Sequence, residues 1–180
     1  PAHFLTHHGR RPIAHLDELG VLGPWLTLAH AIHLDADEVD RLARAGAHVA
    51  HCPTSALRFG YGVTRHGRMP EMVAAGVPLC LGTDGANSGG VDLLRAAAIT
   101  AGLFKDVRER VDLFPPELVL RLLTHHGASA MRMAGQLGML RAGCRADVVL
   151  HDTWRPEWRP LLDPVELLVG QVDGRSVHSV

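Results

Sequence analysis

VPLCLGTDG, residues 77–85, is the last of three short apolar runs built alike; the others are WLTLAH at 25–30 and AHVAHCP at 47–53. Each run is continuous rather than alternating in polarity, as strands covered on both faces are. Helical patterns separate them. DADEVDRLARAG (35–46) has acidic residues in its first turn, basic ones later and a terminal Gly46, so its charges match a helix dipole. PEMVAAG (70–76) reads as a short helix and VDLLRAAAITAGLFK (91–105) as a longer one. Residues 12–19 form a helix ahead of the first run, with Pro12 suited to its first turn and Gly20 to its stop. The segment TSALRFGYGVTRHGR (54–68) is aperiodic and bears glycines, so it reads as a loop, as do the residues before Pro12. Strands alternating with helices predict an α/β fold around a parallel sheet.

In such sheets chemistry collects at the C-terminal ends of the strands. The three runs end in His30, His51 and Asp84. Neighbouring strands lie about 4.8 Å apart, so these side chains converge on one mouth if the strands are adjacent. Two imidazoles and a carboxylate suit a divalent metal or an acid/base site. Each has a plainer reading beside it: a lone strand-end His is often structural, and Asp before Gly is ordinary turn chemistry. Three successive strands ending alike make coincidence the weaker account. Of the thirteen histidines, His33 lies just past a strand end, where it can support the site or start a helix. His3, His7, His8, His66, His125 and His126 are background.

Beyond Arg110 the texture changes. FPPELVLRLLTHHGASAMRMAG (114–135) reads as one or two helices after a proline pair. LGMLRAGCRADVVLHD (137–152) reads as two short strands joined by a turn around Arg141–Arg145. The tail from Trp154 contains an apolar run, LLVGQV (167–172), read as a strand, and a polar turn at 173–175. The expected division is a barrel-like part over 1–135 and a β-rich part over 136–180.

The whole chain has 180 residues, enough for one core but short of the roughly 250 of a complete eight-stranded barrel. Lys+Arg 18 against Asp+Glu 19 leaves a net charge of −1, with no excess of positive charge for nucleic acid or an anionic membrane. No apolar run is long enough to span a bilayer, and the start lacks a signal-peptide pattern. Cys52, Cys80 and Cys144 are odd in number and show no CxxC spacing, so they read as reduced thiols and place the protein in the cytoplasm.

LTLAHAIHL (26–34), VAHCPTSALRFGYG (49–62), AGVPLCLGTDGANS (75–88) and GMLRAGCRADVVLHD (138–152), in that order, resemble the amidohydrolase superfamily. The nearest branch is the chlorohydrolase and aminohydrolase group, with triazine hydrolases, guanine deaminase and S-adenosylhomocysteine deaminases. The resemblance runs from about Gly9 onward. It implies the C-terminal half of a (β/α)8 TIM-like barrel, strands six to eight and their helices, plus part of a small β-sandwich. It implies metal binding by His30 and Asp84, with Asp84 also exchanging a proton with the attacking water. His51 matches a residue that orients the nucleophile or faces substrate, and Ser55, Arg58 and Tyr61 fall in a substrate-contacting loop. Ser55–Ala56 stands where the family pattern has Ser-Asn, so the contact made by that Asn is not carried over.

The implied reaction is hydrolysis by metal-activated water, removing an amine from a purine, pyrimidine or triazine. The metal is zinc, with iron as the alternative, the partner a small heterocycle, and the assembly a homo-oligomer. Hydrolytic dechlorination is the runner-up reaction. The family's HxH pair on the first barrel strand, and its His followed by Glu on the fifth, have no match in these residues. A second expectation follows: a half-barrel that starts after the fifth strand, inactive alone and prone to self-association.

Overall fold

A parallel sheet in the order β1 (Thr27–Ala29), β2 (His48–His51), β3 (Leu79–Leu81) carries the fold in this computed structural model, which describes residues 2–180. Ala29 pairs with Ala50, and His51 with Leu81, so the strands end nearly level. The ladder continues one step past each strand: the His30 N–H donates to the Ala50 carbonyl and the Gly82 N–H to the His51 carbonyl, both at 2.9 Å. Register alone therefore brings the exits of all three strands to one rim.

Helices wrap the sheet. α1 (Ala2–His8) and α2 (Pro12–Glu18) precede β1, and α3 (Ala36–Ala45) joins β1 to β2. Three short helices, α4 (Pro53–Arg58), α5 (Val63–His66) and α6 (Met69–Ala74), lie between β2 and β3. α7 (Leu93–Val107), α8 (Pro116–Leu123) and α9 (His125–Ala130) follow. The core is built from Leu42, Val49, Met69, Met72, Phe104, Val119 and Leu122, all buried. Burial of such side chains contributes about 1.5–3 kcal/mol each.

α3 is anchored more firmly than its charges alone indicate. The Asp35 carboxylate accepts from the Glu38 N–H, and Glu38 accepts in return from the Asp35 N–H, a reciprocal cap. Glu38 is fully buried and also accepts from the Arg11 guanidinium at 2.7 Å and the Ile13 N–H at 3.1 Å. One carboxylate thus ties α2 to α3.

At the opposite end of the sheet, α9 closes the floor. His126 Nδ1 donates to the Leu79 carbonyl at 3.1 Å, and His48 Nε2 lies 3.2 Å from the Ser129 hydroxyl. These histidines do structural work. Gly138 presses onto α9 so closely that a Cβ there would sit 2.7 Å from the His125 backbone.

Four readings are corrected. Residues 2–8 are helical rather than loop; α1 buries no side chain of its own, and Phe4 stacks on His8. Residues 54–68 contain most of α4 and all of α5, because Pro53 sits at the start of α4 and Gly62 resets the chain for α5. Residues 167–172 are not a strand: they belong largely to α10 (Pro164–Gly170), where Pro164 follows Asp163, whose carboxylate accepts from the Val165 and Glu166 N–H groups. A proline-plus-cap start outweighs the apolar run. Of the two strands read in 137–152, only β4 (Leu150–His151) forms; it pairs antiparallel with β5 (Val177–Ser179). The described residues of 136–180 thus contain a two-stranded ribbon and a helix. α10 packs on α7 and α8, with Val169 inside the main core. Among the described residues no helix is long and apolar enough to cross a membrane.

Candidate active site

His30 is the first residue beyond β1 and Asp84 the third beyond β3, and both hold left-handed backbone conformations, with φ of 67° and 62°. Ala31 does so too, at 46°. Residues with side chains adopt this region at a cost of about 1–3 kcal/mol, and such strain gathers at functional sites. Here it turns the two side chains toward each other: His30 Nε2 lies 3.5 Å from Asp84 Oδ2. Gly82 lets the exit of β3 approach β2, since a Cβ there would sit 3.0 Å from Cys52 Sγ.

The carboxylate is held from two sides. The Ser55 hydroxyl donates to Asp84 Oδ2 at 2.6 Å, and the Gly85 N–H donates to Oδ1 at 2.8 Å. The Ser55 hydroxyl, then the Gly85 amide, holds the Asp84 carboxyl below its ordinary range. Ser55 is itself buried at the start of α4. Asp84 is therefore an anion at neutral pH.

A divalent cation fits the gap. Two donors bound tetrahedrally at about 2.0–2.1 Å lie about 3.3–3.4 Å apart, close to the separation found. Among the described residues no third His, Cys, Asp or Glu completes a group. His30 Nδ1 is buried without a hydrogen-bond partner. The imidazole is instead braced by the edge of Tyr61, with ring centroids 5.4 Å apart at 85°. Tyr61 is pinned through its carbonyl, which accepts from His33 Nε2 at 2.9 Å; that nitrogen must carry the proton, because a carbonyl only accepts. His33 thus supports the site, a role its place in the sequence left open.

His51 sits behind the mouth rather than in it. It is buried, and its ring packs 5.9 Å from that of Phe104 in the core. Burial, then the nearby charge of His30, pushes its pKa down to about 4, so it is neutral at pH 7. Its Nε2 has no partner among the described residues. The role read for it, orienting the nucleophile or facing substrate, falls to a side chain that is 2% exposed here. Arg58 also departs from the cluster: it lines a separate cavity with Arg95 between α4 and α7. The structure thus gathers His30, Ser55, Tyr61 and Asp84, keeps His51 in reserve and sets Arg58 apart.

A larger cavity, about 750 Å³, lies elsewhere, between α7, α8 and the β4–β5 ribbon. Its walls are leucines and valines such as Leu93, Leu120 and Val148. It lacks the paired, hydrogen-bonded acid and base of the rim.

The model of the amidohydrolase family matches residues 3–180. A 5-methylthioadenosine/S-adenosylhomocysteine deaminase of Syntrophobacter fumaroxidans is 37% identical over 166 residues, covering 92% of this chain and 37% of that protein. The protein of that name from Thermococcus kodakarensis is 32% identical over 96% of this chain and 40% of its own length. The chain therefore spans about two fifths of the curated relatives it matches. A crystal structure of an adenosine deaminase from Xanthomonas campestris with bound zinc superposes with a TM-score of 0.90 at 30% identity, over 98% of this chain and 40% of that one. An atrazine chlorohydrolase from Arthrobacter aurescens, complexed with zinc, shares the fold at a TM-score of 0.83 and 24% identity, over 95% and 37%.

Proposed function

The chain belongs to the amidohydrolase family, and on that premise we propose that it forms part of a metal-dependent aminohydrolase that deaminates an aminated heterocycle. The observation that carries this reading is the His30–Asp84 pair, 3.5 Å apart across the exits of β1 and β3 and held there by left-handed backbone at both residues. Asp84 and His30 are the residues that would hold a divalent cation here, through Oδ2 and Nε2. Catalytic zinc takes three protein ligands, so the set is completed by residues outside this pair. Zinc is the favoured ion, since it is present in the adenosine deaminase of similar fold.

A bound cation of this kind supplies Lewis acidity that brings the pKa of water from about 15.7 toward 7. The protein residues then handle position and protons. Asp84, kept ionised by Ser55 and Gly85, accepts a proton from the attacking water and returns it to the departing amine, which leaves as ammonia. His30 would hold the ion through Nε2, and Tyr61 holds the His30 ring in place. Neutral His51 backs the rim without adding a charge. The names of the relatives point to 5-methylthioadenosine and S-adenosylhomocysteine as the first substrates to try.

The test is ammonia release from aminated purines, pyrimidines and triazines by the protein loaded with zinc or iron, with chloride release from chlorotriazines measured alongside. Ammonia appearing with stoichiometric metal supports the reading. Chloride without ammonia would transfer it to hydrolytic dechlorination.

A further inference from the structure

Arg58 and Arg95 share a cavity of about 210 Å³ with Thr54, Ser88, Gly89 and Ile99, and no carboxylate lines it. Seven arginines of the chain stand in ion pairs with carboxylates: Arg10, Arg11, Arg41, Arg108, Arg110, Arg155 and Arg175. Arg58 and Arg95 stand in none of these. The far flank of Arg95 borders a second cleft with Asp92 and Asp173. Both acids are already engaged, Asp173 by Arg175 and Asp92 by the Leu94 and Gly174 N–H groups.

The hydroxyls beside the arginines are also short of partners. Thr54 Oγ1 is buried and has none among the described residues. Ser88 is buried, and its hydroxyl reaches only Asn87 Oδ1, at 3.5 Å. A buried hydroxyl left unpaired is costly unless a ligand or water completes it. Two guanidiniums outside any ion pair and two underused hydroxyls around one small cavity that no carboxylate lines form the donor set of an oxyanion site.

Its place in the fold agrees. Thr54 adjoins Ser55, the residue that donates to Asp84, and Ser88 lies in the same loop as Asp84. The cavity is thus built from the same two segments that carry Ser55 and Asp84. Its residues come from the segments after β2 and β3, the last two parallel strands of the chain, and phosphate sites recur after the last two strands of (β/α)8 enzymes. We propose that this cavity is an anion subsite that binds a phosphate or carboxylate group between Arg58 and Arg95, with Thr54 and Ser88 donating to its oxygens. The inference rests on the proposed function for the molecule that carries the anion, a heterocycle with an acidic tail, but not for the anion site itself.

Titrating the whole 15N-labelled chain with inorganic phosphate, at fixed ionic strength in chloride, tests it directly. The Nε–H signals of Arg58 and Arg95 move saturably with phosphate and not with chloride. Arg58→Gln and Arg95→Gln each weaken binding about tenfold. Thr54→Val weakens it less while leaving the circular dichroism unchanged, which separates lost binding from lost folding. Phosphate that causes no saturable shift beyond chloride, or that binds the arginine variants as tightly as the parent chain, overturns the site. A nucleoside monophosphate that moves the arginine and His30 ring signals together assigns the anion to the substrate. One that moves the arginines alone supports the subsite with free phosphate as its ligand. Intact phosphate binding without ammonia release would count against the proposed reaction and not against this site.

Discussion

Asp84 owes its charge and its aim to two neighbours, and this gives the site a clear order of importance. Asp84→Asn keeps the shape but removes the anion; metal measured by mass spectrometry falls to near zero per chain, and kcat/KM drops on the order of 10³-fold. Ser55→Ala deletes only the hydroxyl that holds Oδ2 and costs about 10–100-fold in metal affinity. His30→Ala loses metal as well; full stoichiometry with lost activity would assign His30 to the water rather than to the ion. Cys80 makes a prediction about pH. Burial, then the neighbouring Cys52, raises its thiol to about 11 in the folded chain. A thiol with a raised folded pKa binds its proton more tightly folded than unfolded. Its contribution is therefore complete below the ordinary thiol pKa and is lost as pH rises through about 11. Urea midpoints fall across that alkaline range, and Cys80→Ala flattens the fall. At this scale much was readable: His30 and Asp84 follow from their positions at strand ends. The burial of His51 against Phe104 was not, because Phe104 lies 53 positions further along the chain and only packing brings the rings together.

Elements whose ends carry a local cap were read most easily, and the α2–α3 junction shows what a cap can conceal. The spacing Asp35-x-x-Glu38 is a capping-box signal at the start of α3, and it marks the helix correctly. It does not reveal that Glu38 is buried and paired with Arg11, 27 residues earlier. Glu38→Ala leaves the buried Ile13 amide unpaired while Arg11 keeps Asp35 and the His33 carbonyl, so the free energy of unfolding in urea drops by about 2–3 kcal/mol. Asp35→Ala, which loses an exposed cap, costs about 1 kcal/mol. Equal losses from the two substitutions would mean that Glu38 acts only as a cap. The opposite error occurred at α10, where Leu167–Val172 has the apolar continuity of a buried strand. The Asp163–Pro164 start, four residues before the run, sets a helix through most of it instead.

Across the whole molecule, the described residues leave the outer edge of β1 without a strand partner. Val111, Leu140, Trp154 and Leu162 are each more than 80% exposed. A sheet edge together with apolar surface favours association, so we propose that the chain self-associates. Sedimentation velocity shows a mass that rises with concentration and responds little to salt, because the driving surface is apolar. A constant monomer mass across the micromolar range would end that expectation. The order of strands and helices, the polar residues that end each strand, and the family that those motifs signal were all determined by the sequence itself. These are local or ordered along the chain, and hydrophobic period and turn chemistry encode them directly. Only the tertiary structure decided which of the marked residues meet. Register and helix packing join His30 to Asp84, bury His51 against Phe104, and separate Arg58 from Tyr61 although three positions part them. Such contacts arise from burial shared among distant segments, which no short window of sequence contains.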